Sequence, residues 1–274
     1  MHLPTLLSLT IPLTSLTTAR YLDTPQVYNA GFTTADTHPC TDVHIIAARG
    51  TVEEYPGRQH RVIRAICNGL PNHLSCDYED IKTRATWHEW CAGIEEGIEY
   101  GKKRITEYVE RCPNSAIVLT GFSVGTEIIG DILGGGGGRF FENPGKHGGL
   151  GGNCKRPYIA GLSPVGKPAE NIVAALLWGD VRHTANQTYN IGSGSHLDGM
   201  WPRDPQNLAD LNRFSDVLGS FCHVDDPWCA SGLIPARHVD YLRVNSEEAA
   251  QLVREKLALK MPWKLQMVRG VANV

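Results

Sequence analysis

Residues 116–133 read AIVLTGFSVGTEIIGDIL, and this stretch decides the fold. Ala116 to Thr120 is a continuous apolar run too short for a buried helix, so it reads as a strand buried on both faces. After Gly121, apolar residues recur every four positions at Val124, Ile128 and Ile132, which is the spacing of one helix face. The join is Gly121-Phe122-Ser123-Val124-Gly125, a G-x-S-x-G pattern. Glycines on either side of the serine suit a strand-to-helix turn too tight for larger side chains, and such a turn holds the hydroxyl out over the sheet edge.

The same grammar extends outward. Val43–Ala48 ends at Arg49-Gly50, Ile172–Trp178 ends at Gly179, and Ser220–Val224 runs into Asp225 and Asp226, with a weaker strand over Cys76–Ile81. Helical spacing lies between these runs: Ile94, Ile98, Gly101, Ile105 and Tyr108 mark one face, which Cys112-Pro113 brings to an end. Towards the carboxyl terminus, Asn245 with Glu248 opens a helix whose face is Ala249, Leu252, Val253 and Leu257, up to Pro262. Strand and helix alternate. This predicts an α/β fold, a three-layer α/β/α sandwich around a doubly wound, mostly parallel, five-stranded sheet. Two stretches interrupt the rhythm. Residues 134–156, with glycines at 134–138, 148–149 and 151–152, are expected to form a long excursion, and residues 191–219 a surface loop with a short helix.

With 274 residues, 42% hydrophobic, 20% charged and a net charge of −3, the chain has neither a disordered composition nor a basic field. Nucleic acid is therefore not an expected partner, and a monomer is expected. Met1–Ala19 is apolar, lacks acidic residues and ends Thr17-Thr18-Ala19 before Arg20, the pattern of a cleaved signal peptide; Pro4 and Pro12 argue against a membrane-spanning helix. The expected organisation is a signal peptide over residues 1–19 and one domain over 20–274, secreted, with no transmembrane segment. The cysteines number eight, without C-x-x-C spacing, which favours disulfides over zinc. Asn186-Gln187-Thr188 is a glycosylation sequon.

Ser123 at such a turn is a candidate nucleophile, with the N-terminus of the following helix available to stabilise an oxyanion. It needs a base, and the base an orienting acid, in the chain order Ser, Asp, His. His223 and His238 follow the start of the last strand, and Asp225 and Asp226 stand at its carboxyl end. The residues alone leave Asp225 and Asp226 as rivals.

Further features resemble the cutinase and acetylxylan esterase family of secreted, mostly fungal esterases that act on polymer surfaces. They are Cys40-Thr41-Asp42-Val43 with Ala48-Arg49-Gly50-Thr51, Cys112-Pro113 ahead of the serine turn, Gly179-Asp180, and Cys222, Asp226 and Cys229 followed by His238. The resemblance spans residues 40–261 and implies a cutinase-like α/β-hydrolase without metal or organic cofactor. Ser123 is then the nucleophile, His238 the general base and Asp226, rather than Asp225, its orienting acid. The backbone N–H groups of Thr51 and Val124 form the oxyanion hole, with the Thr51 hydroxyl as a further donor. Disulfides Cys40–Cys112 and Cys222–Cys229 follow from the same resemblance, with Cys67–Cys76 a further expected pair and Cys91 and Cys154 left over. The chain departs from the family in having Val124 where glutamine is usual and Val181 where proline is usual.

The expected reaction is carboxylic ester hydrolysis through an acyl-enzyme on a polymeric or small ester. Gly192–Arg203, with Asp198-Gly199 and Trp201-Pro202, resembles the loop of acetylxylan esterases, whereas Leu233-Ile234 resembles the apolar rim of cutinases, so acetylated xylan and cutin both stand. A lipase-like esterase acting on lipid esters, and a secreted binding protein of this fold that has lost turnover, are the alternatives. His183, His196 and Trp201 are read as ordinary loop residues.

Overall fold

The computed structural model describes residues 39–84, 86, 89–139 and 155–266. The expected signal peptide, residues 1–19, lies outside them. Each apolar run forms a strand: β1 (Val43–Ala48), β2 (Cys76–Asp80) and β3 (Ala116–Phe122), then β6 (Ile172–Trp178) and β8 (Leu218–Phe221). Between β3 and β6 lies a separate antiparallel ribbon of β4 (Gly136–Arg139) and β5 (Lys155–Ile159). With β7 (Asn190–Ile191) at one edge, the main sheet runs β2-β1-β3-β6-β8-β7, and every pairing in it is parallel. It has six strands rather than the expected five, because β7 adds to the edge beside β8. Two residues carry no periodicity, so only the pairing reveals this strand.

Alternate residues of each strand enter different cores. Ile46, Ala48, Ile117, Leu119, Ala175 and Leu177 meet α2 (Trp90–Arg111) and α3 (Val124–Gly134) on one face. Val43, Ile45, Ala47, Val118, Leu176 and Trp178 meet α1 (His60–Gly69) and α7 (Ser246–Lys260) on the other. Both faces are covered, which is why the strands read as unbroken apolar runs. Burying one such aliphatic side chain contributes about 1.5–3 kcal/mol, so these paired layers supply most of the driving force for folding.

The glycine-rich stretch differs from its expected reading at both ends. Gly134 closes α3, Gly135 takes φ 76° as its C-cap, and Gly136–Arg139 pair with β5. Gly136 and Gly137 fit because a Cβ there would lie within 2.0 Å of the Asp131 side chain or the Pro157 carbonyl. In the later loop, α4 (Pro205–Asn212) begins at Asp204, whose carboxylate accepts the N–H groups of Gln206 and Asn207. The last strand stops at Phe221, short of the expected Val224. The chain then turns through α5 (Pro235–Val239) and α6 (Tyr241–Val244) into α7, and α8 (Pro262–Leu265) follows. Bridges Cys40–Cys112, Cys67–Cys76 and Cys222–Cys229 are formed. A Cys91–Cys154 pairing lies outside the described residues. No helix among the described residues is long and apolar enough to cross a membrane.

Strand order reverses between β1 and β3, so the loops leaving these two strands diverge and open a crevice at their carboxyl ends. Thr51 and Ser123 both stand at this edge.

Candidate active site

Ser123 is the N-cap of α3, with φ 54° and ψ −120°. A non-glycine residue held there costs roughly 1–3 kcal/mol, a strain characteristic of functional turns. The glycines on either side are required by contact. A Cβ on Gly121 would lie 2.3 Å from the Gly125 carbonyl oxygen, and one on Gly125 would lie 2.0 Å from the carbonyl oxygen of Ala48 at the end of β1. The Ser123 N–H donates to the Trp178 carbonyl at 3.0 Å, tying the elbow to the end of β6, and the Thr126 hydroxyl donates at 2.5 Å to the Ser123 carbonyl.

His238, on α5, reaches the same place from the opposite side. A Cβ on Gly179, the residue after Trp178, would lie 2.8 Å from the His238 ring, so only glycine lets the imidazole settle beside the elbow; its φ of 62° also favours glycine. Phe122 and Trp228 hold the ring at centroid distances of 5.0 and 4.3 Å. Nδ1 is 2.9 Å from Asp226 Oδ2. That contact places the proton on Nδ1 and leaves Nε2 as the basic nitrogen, and Nε2 is buried with no hydrogen-bond partner.

Asp226 is fully buried in the turn closed by Cys222–Cys229. Its Oδ1 accepts the N–H groups of Trp228 at 2.7 Å and Cys229 at 3.3 Å, and its Oδ2 also accepts the Tyr241 hydroxyl at 2.7 Å. Burial alone would raise its pKa, but hydrogen bonds from His238, Tyr241 and the Trp228 backbone hold the carboxyl below its ordinary value. Asp225 is exposed at φ 69° and offers its backbone carbonyl to the Ile234 N–H. The turn thus separates the two rival carboxylates, one inward and one to solvent.

Thr51 lies in the turn after β1, and its hydroxyl is buried without a partner. The turn is braced from behind. Glu53 accepts the Gly50 N–H at 3.0 Å and pairs with Arg58, while the Gln59 side-chain amide donates to the Ala48 carbonyl. Val124 is buried at the first position of α3. The site therefore holds two unengaged polar atoms, His238 Nε2 and Thr51 Oγ1, at one sheet edge beside a strained serine. That arrangement is suited to deprotonating a hydroxyl and to receiving a negative charge.

The other residues considered have structural surroundings. His183 is buried with Nδ1 3.1 Å from Ser220 Oγ, and burial lowers its pKa. Trp201 packs half-buried on the α2/α3 core, and His196 is exposed. Within 192–203, Asp198 accepts the Ala185 N–H at 2.8 Å, and Arg203 turns inward to Asp180 at 2.6 Å. Val181 is buried in the core. Tyr241, Phe122 and Trp228 escaped the sequence reading. Only the position of Tyr241, about one helical turn beyond His238, offered a signal.

The parallel doubly wound sheet, its reversal point and the serine elbow at its carboxyl edge define an α/β-hydrolase. Residues 39–257 match the Cutinase family model, and the chain belongs to that family. Cutinase 11 of Verticillium dahliae is 28% identical over 80% of this chain and 70% of its own length. Acetylxylan esterase 2 of Talaromyces purpureogenus is 25% identical over 80% of this chain and 88% of its own. The fold matches the catalytic core domain of acetyl xylan esterase from Trichoderma reesei, with TM-score 0.64 and 22% identity, covering 80% of this chain and 100% of that one. A cutinase-like protein from Cryptococcus sp. matches with TM-score 0.57 and 16% identity over 80% of this chain and 94% of that one. The protein is a carboxylic ester hydrolase of the cutinase or acetylxylan esterase type.

Proposed function

We propose that this protein is a secreted serine esterase that cleaves carboxylic esters of plant cell-wall polymers, cutin or acetylated xylan, through an acyl-enzyme on Ser123. The observation that carries this reading is the His238 ring. Its Nδ1 is held by Asp226 and its ring lies against Gly179, whose preceding residue anchors Ser123, while Nε2 stays buried and unengaged. His238 Nε2 takes the Ser123 proton as the hydroxyl oxygen attacks the ester carbonyl. The N–H groups of Thr51 and Val124, with the Thr51 hydroxyl, receive the oxyanion. His238 then returns the proton to the departing alcohol, and in the second half it activates water against the acyl group. Because the oxyanion is met by a backbone N–H, valine at 124 is compatible with turnover.

Val52, Leu233 and Ile234 are 62%, 89% and 43% exposed on the turn that carries Thr51 and the loop that leads into α5, an apolar rim suited to an aliphatic chain or a polymer surface. Residues 192–203, by contrast, engage the scaffold through Asp198 and Arg203, so their likeness to acetylxylan esterases does not select the substrate. Secretion fits the three disulfides among the described residues and the sequon at Asn186, which is exposed in a turn with φ 60°.

An organophosphate reagent tests the chemistry. One equivalent on Ser123 with complete loss of esterase activity is expected, whereas hydrolysis that survives labelling, or labelling elsewhere, overturns the reading. A p-nitrophenyl ester series from acetyl to long acyl chains, with acetylxylan and cutin alongside, separates the two polymers. Sequencing of the exported protein is expected to start near Arg20.

A further inference from the structure

Tyr241 is fully buried at the start of α6, one turn beyond His238. Its hydroxyl lies 2.7 Å from Asp226 Oδ2, the oxygen that also faces His238 Nδ1 at 2.9 Å. The same hydroxyl oxygen accepts the His223 N–H at 2.9 Å. A phenol has one proton, and with an N–H already pointing at its oxygen that proton must be directed elsewhere. Asp226 Oδ2 is the strong acceptor in reach. The other neighbour, Cys229 Sγ at 3.1 Å, is a disulfide sulfur and accepts weakly. The direction of the hydrogen bond is therefore fixed, from Tyr241 to Asp226.

We propose that Tyr241 is a positioning residue for ester hydrolysis: its hydroxyl fixes the Asp226 carboxylate and competes with His238 for Oδ2, setting the pH at which His238 can accept the Ser123 proton. The inference rests on the Ser123, His238 and Asp226 assignment made above. A carboxylate oxygen that accepts two donors offers less charge to each, so Tyr241 weakens the stabilisation that Asp226 gives a protonated imidazole. Oδ1 keeps its two backbone donors in either case, so losing the phenol changes charge distribution more than it changes position. The titratable groups that face this cluster are few. His223 stacks on the Tyr241 ring at 4.8 Å, His183 is buried within the field of Asp226, and Arg237 and Asp240 flank His238 on its own segment. Burial and the Asp226 charge both raise the Tyr241 pKa, so it stays a donor throughout the working range.

The test is the pH profile of kcat/KM for full-length Tyr241→Phe on p-nitrophenyl butyrate, with thermal melting in parallel. The expected result is an acid limb moved upward by about half a pH unit or more. Plateau kcat should fall by no more than roughly tenfold, because the backbone donors to Oδ1 remain. A lower melting temperature with the limb in its original place overturns the proposal, since a purely structural tyrosine behaves that way. If Tyr241→Phe does not fold, difluorotyrosine placed at 241 by amber suppression preserves shape and makes a stronger donor. The limb then moves downward, and an unmoved limb again overturns the proposal. His238→Ala separates the two levels: if it keeps wild-type turnover, the underlying assignment fails and the role of Tyr241 falls with it. An inactive His238→Ala beside an unmoved Tyr241→Phe limb removes Tyr241 alone.

Discussion

The two aspartates that end the last strand's loop differ by one position in sequence and by their whole environment in space. Asp226 is fully buried with four donors on its carboxylate, while Asp225 is exposed and contributes a backbone carbonyl to the turn. Asp226→Asn should therefore lower kcat by several powers of ten, because an amide disturbs the tautomer and orientation of His238. Asp225→Asn should stay within a few-fold of wild type. The opposite ranking in steady-state assays would reassign the acid. Ser123→Ala and His238→Ala should each remove about four or more powers of ten, and the double variant little more than either alone, because the groups act as a unit. Fully additive losses would argue that serine and histidine act independently.

At the scale of elements, the site is an agreement among segments far apart in sequence, each secured by its own constraint. The turn that carries Asp226 is closed by a disulfide with a sequence separation of 7. Replacing Cys222 and Cys229 together by serine is expected to cost about 2–3 kcal/mol in chemical denaturation. At a temperature where both proteins are fully folded, the variant's activity should still fall below that of wild type, since Asp226 loses its frame. Undiminished turnover in the folded variant would show that the backbone donors suffice. The helix that follows Ser123 has a second anchor. Arg156 on β5 reaches Glu127 at 2.6 Å and Asp131 at 2.7 Å, all fully buried, which ties the glycine-rich ribbon to α3. Burial pushes Glu127 up to about 7 against the pull of Arg156. Arg156→Ala removes the close cation from buried Glu127 and leaves Asp131 with Arg182 at 3.6 Å, and should cost about 3–5 kcal/mol near neutral pH. The deficit should shrink as pH falls, because a protonated Glu127 needs no cation. A deficit independent of pH in urea titrations would place the cost elsewhere.

Across the whole molecule, a buried histidine joins β1 and the edge strand β2 to a helix at the end of the sheet opposite the site. His44 on β1 has Nδ1 2.6 Å from Asp77 and Nε2 3.1 Å from Glu79, both on β2, and stacks on Tyr108 of α2 at 3.7 Å. Two carboxylates on two ring nitrogens favour an imidazolium. Burial opposes the charge, but the Asp77 and Glu79 hydrogen bonds outweigh it and raise the pKa above its ordinary value, near 6.5. A raised folded-state value means that the stabilisation is complete below about 6.5 and is lost as pH rises through the folded value. Wild-type melting temperature should therefore decline on the alkaline side, while His44→Gln starts lower and declines less. Parallel curves for the two proteins would exclude the clamp.

The sequence by itself determined the layer architecture, since strands buried on both faces must be unbroken apolar runs and helices must show a four-residue repeat. It also marked Ser123, because a turn that tight admits only glycine two residues to either side of the serine. It did not reveal β7, the pairing of Gly136–Arg139 with β5, or the early stop of the last strand at Phe221, because backbone pairing depends on what lies alongside and leaves little trace in so few residues. On the residues alone, Asp225 and Asp226 were equivalent. The family resemblance pointed to Asp226, but only tertiary structure supplied the physical reason, by turning one carboxylate into a water-poor turn and the other to solvent. The same holds for Tyr241, His44 and Arg156: an isolated polar residue has no period to read. Its effect arises from the low-dielectric surroundings and the fixed donors that folding assembles around it.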